Sequence, residues 1–284
     1  MILKKLGIFF KDIKLEHSLF ALPFAYLGLF MAGRRWPDLD VFVWVTVAMV
    51  SFRTMAMGLN RLFDCSIDAL NPRTRDRALP GNRIMAPLVW VLILVSFMIF
   101  ETSAARLGNI CLWLSPVPLI LAWLYPFAKR FTWLSHFILG LILGIAPSGA
   151  WIAATQQCAW APLFLTAGVT CWVAGFDMIY ALQDIDFDIQ QGLFSFPARF
   201  GIASTLKLTR LLHAISFLCW GLAGTIAGMG FFYWIGLAVV AGFLFREHFL
   251  VRNFGVARVN EAFFLMNVVV SLAIFFAAVL DVTL

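Results

Sequence analysis

The sequence predicts an all-α, polytopic membrane protein, and three observations carry that prediction. Hydrophobic residues make up 62% of the 284-residue chain and charged residues only 13%, with a mean hydropathy of +0.92, whereas a soluble domain carries about 25% charged residues. Apolar stretches of about 20 residues, long enough to cross a bilayer, recur along the whole chain. Basic residues fall almost wholly on one side of those stretches. Helices are the expected element because they satisfy their own backbone hydrogen bonds inside lipid. With no Gly-, Ser- or Pro-rich linker and no low-complexity tail, residues 1–284 are expected to form a single transmembrane domain.

Nine spans are predicted. The first, 17–33, follows Lys4, Lys5, Lys11 and Lys14, but no small-residue cleavage site comes after it, so it reads as a span and not a cleaved signal. The second, 41–63, runs into an acidic segment, and the third and fourth are 87–106 and 108–126. The fifth and sixth, 134–154 and 162–183, lead to a second acidic segment. The seventh and eighth, 208–227 and 230–246, touch at Ala227–Gly230 and form a tight helical hairpin; the count falls to eight if they are re-entrant. The ninth is 262–281.

With nine spans, the face shared by the N-terminus and the segments after the even-numbered spans holds 18 of the 21 Lys and Arg residues, leaving Arg34, Arg35 and Arg106 on the other. The positive-inside rule makes the first face cytoplasmic, so an inner (cytoplasmic) membrane location is expected. The pI near 9.3 therefore reflects topology and not nucleic-acid binding, which needs a soluble basic surface. Five dispersed cysteines without a CxxC pair argue against a disulfide framework or a zinc site. No protein partner is inferable.

The acidic residues share this asymmetry, although no topology rule requires it. Asp64, Asp68, Asp76, Asp177, Asp184, Asp186 and Asp188 all lie near the cytoplasmic ends of spans two and six. Carboxylates at membrane depth are expensive and point to function. Asn60, Asp64 and Asp68 are spaced by four, a ladder down one helix face. Such an oxygen set suits Mg²⁺, which keeps part of its shell for water and phosphate. Asn71-Pro72 ends this helix, and Arg73, Arg75 and Arg77 bring positive charge beside it. Asp184 and Asp188 repeat the spacing, with Asp177 almost two turns earlier on the same broad face. Two such ladders suit separate metal ions on either side of one pyrophosphate, while Asp76 and Asp186 read as surface or supporting charges. An acidic helix end exposed to the cytoplasm is the plainer reading of either ladder alone.

Lys129 and Arg130, at the end of span four, read either as a positive-inside pair or as ligand contacts. In the second reading Lys129 meets the pyrophosphate and Arg130 a carboxylate on the acceptor, because a planar guanidinium donates two parallel hydrogen bonds. Arg53 is the next candidate for that carboxylate.

These motifs resemble those of the UbiA-type intramembrane aromatic prenyltransferases. The paired signature is Asn60-Arg-x-x-Asp64-x-x-x-Asp68 with Tyr180-Ala-x-x-Asp184-x-x-x-Asp188. Supporting wording runs from His17-Ser-Leu-Phe-Ala-Leu-Pro23 through Asn71-Pro-Arg-Thr74 and Tyr125-Pro126 to Gly192-Leu-Phe-Ser-Phe-Pro-Ala-Arg-Phe-Gly201, so nearly the whole chain is covered. The resemblance implies nine helices around a central cavity with a tunnel for the isoprenoid tail. It also implies Mg²⁺-pyrophosphate held by Asn60, Asp64, Asp68, Asp184 and Asp188. Lys129 and Arg61 become phosphate partners, and Tyr180 and Asp177 join Arg130 among the substrate-binding residues. Asp often follows the first Asn in this family; here Arg61 stands in that place, as in the branch making quinone precursors.

By resemblance, a polyprenyl group passes from its pyrophosphate to a 4-hydroxybenzoate-like acid, or to a dihydroxynaphthoate in the alternative. Segments 69–86 and 189–206 are expected to act as lids. A transporter is the rival class, since intramembrane carboxylates also mark ion pathways. Against it, only a loose echo links the two ladders, and the charges cluster at span ends and not at the midplane.

Overall fold

The computed structural model describes residues 2–14, 18–254 and 266–284. Among them every regular element is helical: α1 Ile2–Asp12, α2 Ser18–Gly33, α3 Leu39–Phe63, α4 Cys65–Leu70, α5 Ala86–Arg106, α6 Asn109–Leu114, α7 Pro116–Ala128, α8 Ser135–Thr155 and α9 Trp160–Ala181. A 3₁₀ turn, Leu182–Asp184, leads into α10 Ile185–Gln190, followed by α11 Phe196–Ile226, α12 Phe231–Phe254 and α13 Asn267–Thr283. The chain is an integral membrane protein, with seven runs among the described residues long and apolar enough to span a bilayer. The first and ninth expected spans appear as the shorter apolar helices α2 and α13, so nine full-length spans are not established. His17, Arg258 and the start of the ninth span lie outside the described residues.

Two compact units divide the chain. One is Met1–Ser18 with Val43–Phe127, the other Leu19–Phe42 with Ala128–Leu284. In the first unit, α1 is pinned beside α3. Phe9 and Ile13 are buried, and Arg53 of α3 donates to the carbonyls of Ile13 and Lys14 at 3.5 and 3.1 Å, serving otherwise orphaned groups at the helix end. Phe63 packs on Trp90, Trp123 and Phe127 at 6.1, 5.0 and 4.7 Å. Trp90, Leu94, Met98 and Trp113 point outward, as expected of side chains facing lipid. The fourth span is not one continuous helix. It breaks at Ser115, because Pro116 lacks the N–H a continuous helix needs, and the Ser115 hydroxyl turns to Glu101 at 3.1 Å.

In the second unit, Phe24, Trp172, Trp220 and Tyr233 form the centre of the core. The Tyr233 hydroxyl donates to the Trp220 carbonyl at 2.8 Å, which satisfies its polar end. Spans seven and eight lie in α11 and α12, both long and apolar enough to cross a bilayer. Gly228, at φ +66°, ends α11: Met229 N–H donates to Gly224 O at 2.8 Å and Gly228 N–H to Thr225 O at 3.1 Å, the paired bonds of a Schellman cap. Asp281 of α13 then accepts from Gly230 N–H and Phe232 N–H and caps α12.

The seam between α8 and α9 determines where the site's side chains fall. Gly140 and Gly144 of α8 lie against Thr170, and a Cβ on Gly144 would come within 2.7 Å of the Thr166 carbonyl oxygen. Backbone at that distance cannot swing aside as a side chain can. Gly144→Val is therefore expected to destabilise the protein by about 1–3 kcal/mol, the usual cost of overpacking. Thermal unfolding in detergent should show a lowered midpoint for Gly144→Val and little change for Gly149→Val, where nothing lies within 4 Å. Equal midpoints for the two variants would contradict the close seam.

Candidate active site

The first acidic ladder keeps its register across a break in the helix. The sequence reading placed Asn60, Asp64 and Asp68 on one continuous helix; instead α3 stops at Phe63 and α4 begins at Cys65, with Asp64 at φ −92°, ψ 1° between them. The four-residue hydrogen bonds nevertheless continue, Asp64 N–H to Asn60 O at 3.0 Å and Asp68 N–H to Asp64 O at 2.7 Å. Asn60 Nδ2 donates to Asp64 Oδ2 at 2.8 Å. Asp68 is buried and grips Arg77 in a fork, Nη1 lying 2.8 and 2.7 Å from its two oxygens. Thr74 Oγ1 donates to the Asp68 carbonyl at 3.1 Å. Within segment 69–86, expected as a lid, residues 71–85 form a train of turns with Asn71, Thr74, Ala78, Leu79 and Ile84 buried.

Arg61 is also buried, and its groups are committed within its own unit. Its Nε lies 3.2 Å from Asp12 Oδ2, Nη2 donates to Asp12 O, and Nη1 donates to Asn60 Oδ1, both at 3.2 Å. Asp12 Oδ1 in turn accepts from Ala78 N–H at 2.9 Å. One carboxylate thus links α1, the end of α3 and the turns after α4. Asp12 played no part in the sequence reading, because its partners lie 49 and 66 positions away and no local pattern marks it.

In the second unit, Asp184 closes the 3₁₀ turn and Asp188 lies in α10. Asp184 is 8% and Asp188 2% exposed, while Asp186 between them is exposed, as is Asp76 in the first unit. Burial therefore separates the ladder carboxylates from their neighbours. Ser195, itself buried, lies beside Asp188 and caps α11 by accepting from Ala198 N–H at 3.4 Å. Lys129 lies within electrostatic reach of Asp188, and its carbonyl accepts from Phe194 N–H at 2.7 Å, fastening segment 191–195 to Lys129 within the second unit. Arg130 is exposed and Tyr180 half-buried. Asp177 pairs with His136 of α8, Oδ2 to Nδ1 at 2.6 Å. His136 was missed as a site residue; a single histidine in an apolar helix carries no signal of a partner 41 positions away.

No three Asp, Glu, His or Cys side chains among the described residues are grouped to hold a metal unaided. The donors nevertheless fit a hard cation. Asp188 Oδ2 is buried with no hydrogen-bond partner among the described residues, and an unpaired buried carboxylate oxygen is costly. Mg²⁺ takes oxygen ligands and completes its shell from water and phosphate, so one or two carboxylates per ion suffice.

Known proteins resemble this chain in sequence and in fold. The sequence profile described as the UbiA prenyltransferase family matches residues 21–269. A protein of Francisella tularensis subsp. novicida (strain U112) named 4-hydroxybenzoate octaprenyltransferase is 30% identical over 258 residues, 89% of each chain. One of the same name from Serratia proteamaculans (strain 568) is 30% identical over 221 residues, 78% of this chain and 76% of its own. Among solved structures, the apo form of a UbiA homolog from Aeropyrum pernix K1 superposes with a TM-score of 0.86 at 33% identity, covering 94% of this chain and 98% of that one. A UbiA homolog from Archaeoglobus fulgidus bound to GPP and Mg²⁺ gives 0.76 at 16% identity, over 98% and 100%, a likeness of fold.

Mn²⁺ titration followed by electron paramagnetic resonance tests the cation assignment. Asp188→Asn is expected to weaken binding about tenfold or more, the equivalent of losing one charge-assisted contact of ~1.5 kcal/mol, and Asp186→Asn to leave it within about twofold. Equal losses at the two positions would remove the distinction that burial draws.

Proposed function

The chain belongs to the UbiA prenyltransferase family, and from that premise we propose that it carries a polyprenyl group from its pyrophosphate to an aromatic hydroxy acid of the 4-hydroxybenzoate type. The enzyme class is prenyltransferase. The acceptor type is taken from the relatives named 4-hydroxybenzoate octaprenyltransferase, and the prenyl pyrophosphate and Mg²⁺ from the Archaeoglobus fulgidus homolog bound to GPP and Mg²⁺. The observation in this chain that carries the reading is Asp188: a buried carboxylate with an unpartnered oxygen, one residue pair of a ladder, within reach of Lys129.

Asn60, Asp64, Asp68, Asp184 and Asp188 are the residues proposed to hold Mg²⁺. When bound there, the ion supplies Lewis-acid stabilisation of charge developing on the leaving pyrophosphate. The protein's own contributions are positional and electrostatic. Lys129 sets a positive charge where the pyrophosphate takes up electrons. Arg77 holds the Asp68 carboxylate through Nη1, which is shared between its two oxygens. Arg61, tied to Asp12 and Asn60, steadies the first ladder from behind, a supporting role in place of the direct phosphate contact expected from sequence. Exposed Arg130 offers its guanidinium to the acceptor's carboxylate. The cytoplasmic side of an inner membrane is proposed as the site's location, from the 18-of-21 bias in Lys and Arg.

Incubation with Mg²⁺, a polyprenyl pyrophosphate and a panel of hydroxybenzoates and hydroxynaphthoates, with products identified by mass, tests the reaction. A prenylated hydroxybenzoate is expected; prenylation of the naphthoates alone would move the enzyme to the other acceptor class, and no product from any acid would refute the proposal. Arg130→Ala should lower kcat/KM for the acid roughly ten- to a hundredfold, the loss of one charge-assisted pair of ~1.5–3 kcal/mol. The same variant should match wild type on an acceptor lacking its carboxylate. An equal loss on both acceptors would take Arg130 out of acceptor recognition.

A further inference from the structure

Electrophilic substitution on an aromatic ring leaves a cation that must lose a ring proton before aromaticity returns. The ladder carboxylates are poorly suited to take it, since their lone pairs are the ones proposed for Mg²⁺. A ring-stage cation is a strong acid, so its acceptor needs the right place more than a high basicity. The acceptor should therefore be an ionised carboxylate off the metal, close to the ladder and held in one orientation.

Asp177 has each of these properties. It precedes Asp184 by seven residues. An unbroken helix would set the two about 10 Å apart along the axis and about 20° apart around it. The 3₁₀ turn at Leu182–Asp184, at about 120° per residue, makes that angle roughly 40° the other way, still one broad stripe. From Trp172 to Leu182 every residue is buried except Asp177 and Tyr180, and the Asp177 side chain is 19% exposed. The stripe therefore opens at these two residues. A phenol already carries its own proton, which leaves the carboxylate as the acceptor.

The orientation comes from His136. Its ring is fully buried, and Nδ1 lies 2.6 Å from Asp177 Oδ2. An ionised carboxylate can only accept, so Nδ1 carries the hydrogen and donates it. Nε2 is enclosed with no partner among the described residues, so the imidazole has no second polar contact to turn it, and its one bond goes to Asp177. The close α8–α9 seam at Gly140 and Gly144 fixes the distance between the two helices one and two turns away. Oδ2 is thereby anchored, and Oδ1, with no hydrogen bond among the described residues, is the oxygen left for a ligand to meet.

We propose that Asp177 is the catalytic residue that takes the ring proton and that His136 is its positioning residue. The inference rests on the reading of the reaction as aromatic prenyl transfer. The allylic C–O bond breaks with its electron pair on the pyrophosphate, and the ring's π electrons form the new C–C bond. The ring C–H pair then returns to the ring as its proton passes to Asp177 Oδ1. The carboxyl is neutral after the step, still accepts from His136, and gives its proton to water through its exposed edge.

The test compares wild type, Asp177→Asn and His136→Gln, as full-length protein in detergent with Mg²⁺, geranyl pyrophosphate and 4-hydroxybenzoate, unlabelled or deuterated beside the hydroxyl. Pyrophosphate release without acceptor, prenylated product and the deuterium effect on product formation are each measured. Asp177→Asn is expected to lose transfer about a hundredfold, the scale of general-base catalysis, and at least about tenfold more than it loses pyrophosphate release. A primary deuterium effect absent in wild type should appear, because proton loss has become slow. His136→Gln, which keeps a donor of similar shape, should show the same pattern to a smaller degree. Parallel losses of release and transfer, or no deuterium effect in Asp177→Asn, would overturn the inference and leave the proposed reaction standing. A wild-type enzyme that releases pyrophosphate yet prenylates no aromatic acid would overturn the reaction and this inference together.

Discussion

A carboxylate withdrawn from water must be given a partner, and most of this protein's site is a consequence of that requirement. Stripping an ion of its hydration costs several kcal/mol even after relaxation, and at membrane depth water is not at hand to make good the loss. Asp12 is held by Arg61 and Ala78 N–H, Asp68 by Nη1 of Arg77, Asp177 by His136, and Asp281 by two N–H groups of α12. Three carboxylates keep buried oxygens with no hydrogen bond among the described residues, Glu101, Asp188 and Glu247; the other oxygen of Glu101 accepts from Ser115. Glu247 lies 3.8 Å from His213 in the packed interior. Asp188 instead lies at a helix end beside Lys129 and Ser195, where an incoming ligand can supply what the protein does not.

The same requirement explains why the site is rigid where it touches charge. The pairs of Asp12, Asp177 and Asp281 join segments at least 41 positions apart in sequence, so the loss of one partner would expose a charge and free a segment together. Asp12 joins α1, the end of α3 and the turns after α4; His136 and Asp177 join α8 to α9; Ser195 joins α10 to the start of α11. Apolar packing sets the helices side by side, as at Gly144 against Thr166. The polar pairs then fix orientation at their ends. A fold shared at a TM-score of 0.76 with a chain only 16% identical is what such a division of labour permits, since many apolar sequences fill the same seams.

Much of this was legible in the sequence, for physical reasons that differ by feature. Long spans are readable because lipid demands length and apolarity together, and the ladders because charge at the end of an apolar span is rare enough to notice. The separation of Asp186 from Asp184 and Asp188 followed from helical spacing, and burial agrees with it. The helix breaks at Asp64 and Asp184 were not legible, since neither Cys65-Ser66 nor Gln183 is a strong breaker. Nor were Asp12 with Arg61 or His136 with Asp177, which pair across 49 and 41 positions, beyond any periodicity. The segment 69–86 was expected as a lid because it follows the first motif; its buried Thr74, Ala78 and Leu79 show that a polar segment can be packed as firmly as the helices it joins.

The central claim is that the buried ladder carboxylates are aimed at a metal-bound pyrophosphate. Anomalous diffraction from crystals grown with Mn²⁺ and a non-reactive thio-analogue of geranyl pyrophosphate tests it most directly. The account predicts manganese peaks at oxygen-ligand distance from Asp188 Oδ2 and from the Asn60–Asp64–Asp68 ladder, with analogue oxygens completing the shells. An analogue bound with Asp188 still unliganded, or manganese bound at exposed Asp76 or Asp186 in its place, would contradict it.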